Sequence, residues 1–195
     1  MTGNPLRSEI FREKPLQSSL LWPKINHKKP LLYVTGGRTG SVMINRVVGL
    51  IIPQLTEKFF VLHQIGLDLS LKPARKRDYL AVRFIDNDDI GWVLNRAALI
   101  VSRAGANTVS ELAALKKPAI LIPIPWSAGD EQRKNAQFLK KLGLAEIIEQ
   151  EQLNEKILLR SIFKVVSRRG NYKLKSTIDY QSAPKKLWQL SKSVI

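Results

Sequence analysis

Residues 99–135 read LIVSRAGANTVSELAALKKPAILIPIPWSAGDEQRKN and decide the fold. The apolar run Leu99–Val101 is typical of a buried strand, and a tight turn follows it. We expect a helix to begin at Thr108, because Thr108 and Glu111 have the spacing of a capping box. Pro118 stops that helix, since proline cannot continue it. The first half of the stretch therefore predicts one strand–loop–helix unit.

A second strand–loop–helix unit follows directly. Ala119–Ile124 is the next apolar run, Asp130 is suited to the N-cap of a helix, and Gly143 is suited to its C-terminal stop. Two such units in tandem predict neighbouring parallel strands, with both helix N-termini at the strands' carboxyl ends. Free N–H groups and partial positive charge at those N-termini suit a phosphate. Six polar side chains are expected around this crevice: Ser102, Asn107, Thr108, Glu111, Gln132 and Asn135.

The rest of the chain repeats the alternation of strands and helices. Further strands are predicted at Leu31–Thr35, Phe59–His63, Leu80–Ile85 and Ala145–Ile148, and further helices at Val42–Lys58, Ile90–Ala98 and Gln152–Val166. Leu67–Tyr79 is assigned as a short, variable helix. The predicted fold class is α/β, a Rossmann-like, doubly wound parallel sheet of about six strands.

A glycine-rich turn joins the first predicted strand to its helix. It reads Gly36–Gly37–Arg38–Thr39–Gly40–Ser41, and its glycines would let backbone amides approach an anion closely. The turn is neither the GxGxxG dinucleotide fingerprint nor a Walker loop, since no Gly-Lys-Ser/Thr follows. A turn that serves only tight packing is the alternative.

Three regions are predicted along the chain. Residues 1–30 form an N-terminal arm or interdomain linker, because four prolines (Pro5, Pro15, Pro23 and Pro30) exclude any helix longer than a turn or two. Residues 31–166 form the Rossmann-like domain. Residues 167–195 form a basic C-terminal tail.

Composition limits the classes of function. The 195 residues contain no cysteine, which excludes disulfides and thiolate zinc sites. No apolar run approaches the ~18 residues that span a bilayer, and the N-terminus lacks the apolar core of a signal peptide, so we expect a cytoplasmic protein.

The net charge of +16 fits three explanations: binding to nucleic acid, binding to an anionic membrane surface, or a solvated basic surface with no specific partner. No aromatic-interleaved RNA motif, helix-turn-helix or zinc spacing accompanies the cations. We therefore rank the membrane surface first and expect no nucleic acid.

The string SRAGANTVSELAALKKPAILIPIPW, followed by GDEQRKNA, closely resembles the donor-binding half of the MurG-type UDP-N-acetylglucosamine glycosyltransferases. These enzymes have the two-domain GT-B fold, and the resemblance covers their C-terminal half. Thr2–Arg7 resembles the segment that joins the two domains, in which an arginine matching Arg7 reaches the donor site. His63–Gly66 resembles the family's His-Gln-x-Gly turn, in which we assign His63 a structural role, and Asn45 matches a residue expected to steady the glycine loop.

The chain departs from the family pattern at three positions. Where the family's glycine loop reads Gly-Gly-Ser-x-Gly-Ala, Arg38 replaces the serine and Ser41 replaces the alanine. The family often has histidine before the glutamine of its sugar-binding motif, and here Glu131 precedes Gln132. Arg38 could pair with a phosphate, or Ser41 could supply the lost hydroxyl.

The resemblance implies a UDP-N-acetylglucosamine site that needs no metal or other cofactor. It places Ile85 beside the uracil, Glu111 on the ribose hydroxyls, residues 106–108 on the phosphates and sugar, and Gln132 and Asn135 on the sugar hydroxyls. The full implied donor-binding set is Arg7, Gly36, Gly37, Arg38, Ser41, Ile85, Gly105, Ala106, Asn107, Thr108, Val109, Ser110, Glu111, Gln132 and Asn135. No catalytic residue is expected in this chain, because the family's base lies in the other half.

The leading hypothesis is a donor-binding domain or subunit of an inverting glycosyltransferase, which transfers N-acetylglucosamine from its UDP ester to a lipid-linked acceptor. The acceptor half is absent from this chain, so either a separate membrane-associated subunit supplies it or the reading frame is shortened. The enzyme would lie at the inner face of the cell membrane. Three alternatives stay open: a nucleotide-sugar binding module without activity, an epimerase that shares this half, and a basic nucleic-acid-binding protein whose binding would depend strongly on salt.

Overall fold

Seven strands form one sheet in the computed structural model, which describes residues 6–16 and 18–167. The strands are β1 (Leu31–Thr35), β2 (Phe60–Gln64), β3 (Ala74–Lys76), β4 (Tyr79–Val82), β5 (Ala97–Ser102), β6 (Ala119–Leu121) and β7 (Ala145–Ile147). Their order across the sheet is β3-β4-β2-β1-β5-β6-β7, and every neighbouring pair is parallel except β3 and β4. The tail predicted from residue 167 lies, beyond Ser167, outside the described residues.

Helices cover both faces of this sheet. They are α1 (Val42–Lys58), α2 (Asn87–Arg96), α3 (Ala106–Ala114), α4 (Glu131–Lys141) and α5 (Glu155–Ser167), with short 3-10 helices at Ser8–Phe11, Trp22–Lys24, Ala128–Asp130 and Gln150–Gln152. The buried side chains of α1 and α5 share one core layer, and those of α2, α3 and α4 share the other. The predicted α/β, doubly wound class is therefore confirmed. No helix within the described ranges is long and apolar enough to cross a membrane.

The order of the strands fixes where a ligand can bind. From β1 the chain winds through β2 to β4 on one side, and from β5 it winds through β6 to β7 on the other. The two directions diverge between β1 and β5, which pair in parallel with Thr35 beside Ser102 at their carboxyl ends. A crevice opens at such a switch point, because the loops that leave the two strands go to opposite faces of the sheet.

The structure has one strand more than the sequence predicts. The short helix predicted over Leu67–Tyr79 is wrong: this segment contains β3, which pairs antiparallel with β4. Asp78 has a φ of 59° in the turn between them, a conformation that aspartate tolerates better than most residues. The strand has only three residues and lies at the sheet edge, so it carries no apolar alternation that would reveal it.

Two helix starts differ in detail from the prediction. The start at Thr108 is wrong, because α3 begins at Ala106 with Gly105 as its N-cap, and no side chain caps it. The N-cap at Asp130 is right in position, but the Asp130 side chain makes no cap bond. It pairs instead with Arg133 at 3.3 Å.

The N-terminal segment packs onto the sheet. Ile10 is completely buried with α2, and the Asn95 side-chain amide donates to the Ile10 carbonyl oxygen at 2.7 Å. Gly91 lets the two backbones approach, since a Cβ there would lie 1.9 Å from the Glu9 carbonyl oxygen. This docking carries Arg7 to the carboxyl edge of the sheet.

Candidate functional site

A cleft of about 640 Å³ lies at the switch point between β1 and β5. Its floor comes from the ends of β1 and β2, one wall from the first turns of α3, and the other wall from the loop after β4. Its lining residues are Arg7, Tyr33, Thr35, Gly37, Arg38, Gln64, Phe84, Ile85, Asp86, Asn87, Ile90, Leu94, Ile100, Asn107, Thr108 and Glu111. The cleft therefore combines an apolar side around Phe84 and Ile85 with a polar side at the glycine turn and α3.

An ion pair crosses this cleft between residues far apart in sequence. Arg7 donates to Glu111 Oε1 from both Nε, at 2.9 Å, and Nη2, at 2.7 Å. Its Nη1 donates to the side-chain oxygen of Asn87 at 3.2 Å. The Glu111 side chain is only 9% exposed, whereas that of Arg7 is 45% exposed. Both bonds to Glu111 end on the same oxygen, so Arg7 leaves Oε2 for another donor.

The N-terminus of α3 points into the same cleft. Its N-cap residue, Gly105, has no side chain to cap it, and Asn107 and Thr108 of its first turn line the cleft. A Cβ built on Gly105 would meet no atom within 4 Å, so space remains open over this N-cap. Uncapped N–H groups and the positive end of a helix dipole favour an anion here.

The glycine turn is held rigidly against β2. A Cβ on Gly36 would lie 2.3 Å from the Ser41 nitrogen, and one on Gly40, whose φ is 81°, would lie 2.3 Å from the Ile65 carbonyl oxygen. The Gly37 N–H donates to the Thr35 hydroxyl oxygen at 3.0 Å. A side chain at Gly36 would therefore clash within the turn, and one at Gly40 would push the turn away from the end of β2, so the close packing that the alternative interpretation required is present.

A buried polar network supports this turn from behind. The Asn45 amide donates to the Ile65 carbonyl oxygen and to Asp68 Oδ2, each at 3.0 Å. Its own oxygen faces His63 Nε2 at 3.0 Å, so it must accept, and Nε2 carries the proton. His63 Nδ1 then accepts from the Tyr79 hydroxyl at 3.1 Å. His63 and Asn45 are buried, which agrees with the structural roles predicted for them.

The network predicts a pH-dependent stability. Burial lowers the pKa of His63 from 6.5 to about 4, so the unfolded chain binds a proton that the folded chain refuses. The contribution of neutral His63 to stability is fully present above pH 6.5 and is lost as the pH falls towards 4. We therefore expect the free energy of unfolding to fall by about 2 kcal/mol between pH 7.5 and 4.5. Hydrogen bonds from Ser70 and Asn45 hold the pKa of Asp68 below its ordinary value, so Asp68 stays charged in this window.

Urea unfolding across that pH range measures the effect, with His63→Gln as the test variant. Glutamine can still donate to Asn45 but cannot take up a proton, so most of the slope should disappear. His27→Gln is the matched control, because His27 is the only other histidine and is exposed. An unchanged slope in His63→Gln would contradict the assignment.

A buried arginine joins the loops on either side of the switch point. Arg103 is 9% exposed and donates to the Ser41 hydroxyl at 2.8 Å, to Gln150 Oε1 at 2.6 Å and to the Ile122 carbonyl oxygen at 3.0 Å. All of these acceptors are neutral, and burial lowers the pKa of Arg103. The guanidinium therefore places a positive charge behind the N-terminus of α1, and no carboxylate of the described residues forms an ion pair with it. No motif in the sequence indicates this role of Arg103.

Seven of the predicted donor-binding residues line the cleft: Arg7, Gly37, Arg38, Ile85, Asn107, Thr108 and Glu111. Gly36 and Ala106 are next in sequence to lining residues, Gly105 is the N-cap of α3, and Ser110 lies half-buried further along that helix. Val109 is buried in the core instead, since it shares the inward face of α3 with Leu112. The Ser41 side chain caps α1, where its hydroxyl oxygen accepts from the Ile44 N–H at 3.4 Å.

Gln132 and Asn135 lie beside the cleft. Gln132 Oε1 accepts from the Ala104 N–H at 3.3 Å and from the Ile124 N–H at 3.2 Å. Asn135 Nδ2 donates to the Ala104 carbonyl oxygen at 3.2 Å. The two side chains share one face of α4, as predicted, and in the structure they hold the loop that leads from β5 into α3.

Several lining residues were not predicted. The Tyr33 hydroxyl is buried and donates to Gln64 Oε1 at 3.1 Å, and burial raises the pKa of Tyr33. Gln64 also donates from Nε2 to the Gly37 carbonyl oxygen at 3.2 Å. Thr35 could have been found from position alone, because it is the last residue of a strand that ends at the switch point, and Gln64 ends the neighbouring strand beside it. Asn87 carries no such signal, since it acts through Arg7.

A doubly wound sheet with an anion-suited crevice at the switch point is the architecture of the nucleotide-binding class of α/β domains. Residues 31–189 match the model of the glycosyltransferase family 28 C-terminal domain. The chain belongs to this family, and the resemblance to MurG-type enzymes is confirmed.

The relatives agree with this membership. A UDP-N-acetylglucosamine--N-acetylmuramyl-(pentapeptide) pyrophosphoryl-undecaprenol N-acetylglucosamine transferase of Clostridium novyi (strain NT) is 32% identical over 88% of this chain and 48% of its own length. The transferase of the same name from Crocosphaera subtropica (strain ATCC 51142 / BH68) is 37% identical over 80% of this chain and 43% of its own. The crystal structure of Acinetobacter baumannii MurG matches with a TM-score of 0.62 at 26% identity, over 83% of this chain and 47% of that chain. This chain spans about half the length of the curated relatives it matches.

Proposed function

We propose that this chain is the donor-binding half of an inverting glycosyltransferase, which transfers N-acetylglucosamine from UDP-N-acetylglucosamine to a lipid-linked acceptor. The observation that carries the proposal is the nearly buried Glu111 carboxylate in a cleft that also contains an uncapped helix N-terminus. A carboxylate accepts hydrogen bonds from ribose hydroxyls, and a helix N-terminus holds phosphates. The two relatives named above are transferases of N-acetylglucosamine to an undecaprenol-linked acceptor, which supports this choice of donor and acceptor.

The nucleotide would lie across the cleft in one orientation. The uracil would pack against the apolar side at Ile85, and the ribose hydroxyls would donate to Glu111. The diphosphate would lie between the N-terminus of α3 and the glycine turn, where Arg38 is exposed and lines the cleft. Arg7 donates twice to Oε1 of the Glu111 carboxylate, so Oε2 would be the oxygen that accepts from the ribose.

In the proposed reaction, an acceptor hydroxyl attacks the anomeric carbon while the bond to UDP breaks. The leaving diphosphate gains negative charge, and N–H groups fixed by the protein stabilise that charge without reorganisation. A general base from an acceptor half, supplied by a separate membrane-associated subunit or by a longer chain, would take the proton of the hydroxyl. The residues of this chain hold and polarise the donor.

We propose that no metal takes part, since helix N-termini and Arg38 supply the positive potential that a cation would supply in other sites. We also propose a cytoplasmic location at the membrane surface, because the acceptor of the relatives is undecaprenol-linked.

Isothermal titration calorimetry tests the donor site directly. We expect the folded chain to bind UDP-N-acetylglucosamine in buffer containing EDTA, with at least ~10-fold preference over UDP-glucose, since losing the contacts of one acetamido group costs about 1.4 kcal/mol or more. Folding is checked by circular dichroism on the same sample. If a folded chain binds none of the UDP-sugars, the proposed function is wrong. Binding with no turnover after addition of any acceptor half would favour a module without activity.

A further inference from the structure

One flank of the molecule combines exposed aliphatic side chains with cations. It consists of Val42, Met43, Arg46 and Leu50 on the outer face of α1, and of Leu67 and Leu69 in the loop after β2; we call it the α1 flank. Leu69 is 85% exposed and Val42 is 64% exposed. Soluble surfaces expose single apolar residues routinely, whereas contiguous apolar patches mark interaction sites.

The two segments of the α1 flank are joined by hydrogen bonds. The Leu67 N–H donates to the Thr39 carbonyl oxygen at 3.1 Å, and Asn45 in the first turns of α1 donates to Asp68. Asp68 lies between the two exposed leucines in sequence, so this bond brings the leucine loop against α1. The flank is therefore one surface held by the same network that fixes the glycine turn.

The charge of the α1 flank has one sign. Arg38, Arg46 and Lys72 are exposed along or beside it. The only acidic residue in segments 38–50 and 66–72 is Asp68, which is 8% exposed and bonded to Ser70 and Asn45. Aliphatic side chains that protrude among cations suit the headgroup region of an anionic bilayer, where apolar burial and electrostatic attraction act together.

The position of the α1 flank suits a substrate carried in lipid. Val42 begins α1, immediately after the glycine turn that lines the cleft, while Leu50 lies about 12 Å further along the helix. The flank thus starts at the cleft and runs back along the side of the molecule. A partner that faced only the cleft would leave Leu50 uncovered, whereas a bilayer along this side would bring lipid headgroups to the mouth of the cleft.

We infer that the α1 flank is a membrane-docking surface that seats this chain on anionic phospholipid with the donor cleft at the bilayer boundary. The inference rests on the proposed function in one respect, the lipid-linked acceptor. Docking on this flank would restrict the search for the acceptor to the plane of the membrane.

Co-sedimentation with vesicles tests the α1 flank in the full chain. Vesicles of equimolar phosphatidylglycerol and phosphatidylcholine should bind the wild type, and vesicles of phosphatidylcholine alone should bind it weakly. The double variant Leu50→Glu with Leu69→Glu should bind anionic vesicles at least ~10-fold more weakly, since it loses apolar burial and adds repulsion. The matched control is Leu20→Glu, because Leu20 is 79% exposed on the N-terminal segment, which packs on the opposite face of the sheet.

A second basic surface is the competing candidate for the binding of anionic vesicles. Arg75 and Arg77 lie exposed near the amino ends of the strands, on the side away from the donor cleft. If Arg75→Glu with Arg77→Glu abolishes vesicle binding and the leucine variant does not, the inference about the α1 flank is overturned. Absence of vesicle binding by the wild type overturns it as well and favours a protein partner for this flank.

Calorimetry on the same samples separates this inference from the proposed function. Both leucines lie outside the cleft lining, so the leucine variant should bind UDP-N-acetylglucosamine as the wild type does. If the chain binds the nucleotide sugar but not vesicles, the proposed function stands and the inference of a docking surface is wrong. If the chain binds vesicles through the α1 flank but binds no nucleotide sugar, the proposed function is wrong and the docking surface stands.

Discussion

Replacing Glu111 with glutamine should weaken UDP-N-acetylglucosamine binding about 100-fold. The variant keeps the size of the side chain but removes the charge that pairs with Arg7 at 2.7 Å. Two effects then add. The ribose hydroxyls lose a charge-assisted acceptor, and the Arg7 guanidinium loses the partner that holds it; hydrogen bonds to charged groups contribute about 1.5–3 kcal/mol each.

The measurement is a calorimetric cycle with two ligands, UDP and 2′-deoxy-UDP. If Glu111 accepts from the ribose, the wild type should prefer UDP by ~10-fold or more, and Glu111→Gln should lose most of this preference. Glu131→Gln is the control, because Glu131 is exposed at the start of α4. An undiminished preference for UDP in Glu111→Gln would show that the carboxylate does not bind the ribose, whatever happens to the overall affinity.

Replacing Arg103 with methionine should weaken UDP binding ~10-fold to 30-fold while leaving uridine binding nearly unchanged. Among the described residues Arg103 donates to neutral acceptors alone, so its charge is available to an anion near the glycine turn. A unit charge about 8 Å from a phosphate contributes roughly 2 kcal/mol at an effective dielectric constant of 20. Uridine carries no phosphate and should not sense this charge.

The ratio of UDP affinity to uridine affinity distinguishes an electrostatic role of Arg103 from a structural one. Arg103→Lys keeps the charge and should retain much of the ratio. Gln150→Ala removes one acceptor of Arg103, at 2.6 Å, without changing the charge, and serves as the structural control. Equal losses for UDP and uridine in Arg103→Met would mean that Arg103 only joins the loops.

The fold could be predicted because its signals are local. Val42–Lys58 was predicted with the observed boundaries, since its apolar residues recur with helical spacing between a glycine turn and a strand. Strand β3 escaped prediction because its three residues at the edge are stabilised by pairing with β4, which no pattern within the segment shows. The same limit applies to Thr108: its spacing from Glu111 fits a capping box, yet Glu111 bonds to Arg7 instead.

The candidate site was predictable where the alternation of strands and helices or the family resemblance reached it. Glu111 was expected at the crevice from the tandem strand–loop–helix units, whereas Ile85 was placed by the resemblance, and both line the cleft. Arg103 was overlooked because its significance depends on burial and on the neutrality of its partners, which involve loops from three parts of the chain. Gln132 was expected at the crevice from its position and spacing and on the sugar from the resemblance, and neither reveals that two backbone N–H groups donate to its side-chain oxygen.

The bond between Arg7 and Glu111 joins residues 104 positions apart, and it gives the folding unit and the functional unit different boundaries. The matched family domain begins at residue 31, where the first strand begins. A piece cut there would keep every strand of the sheet but would lose the Arg7 guanidinium that orients the cleft carboxylate. It would also lose Ile10, so the apolar surface of α2 against which Ile10 packs would become exposed. Anyone who grafts, splits or recombines domains of this type should therefore treat the residues from Leu6 to Pro30 as part of the unit that forms the cleft rather than as a spacer.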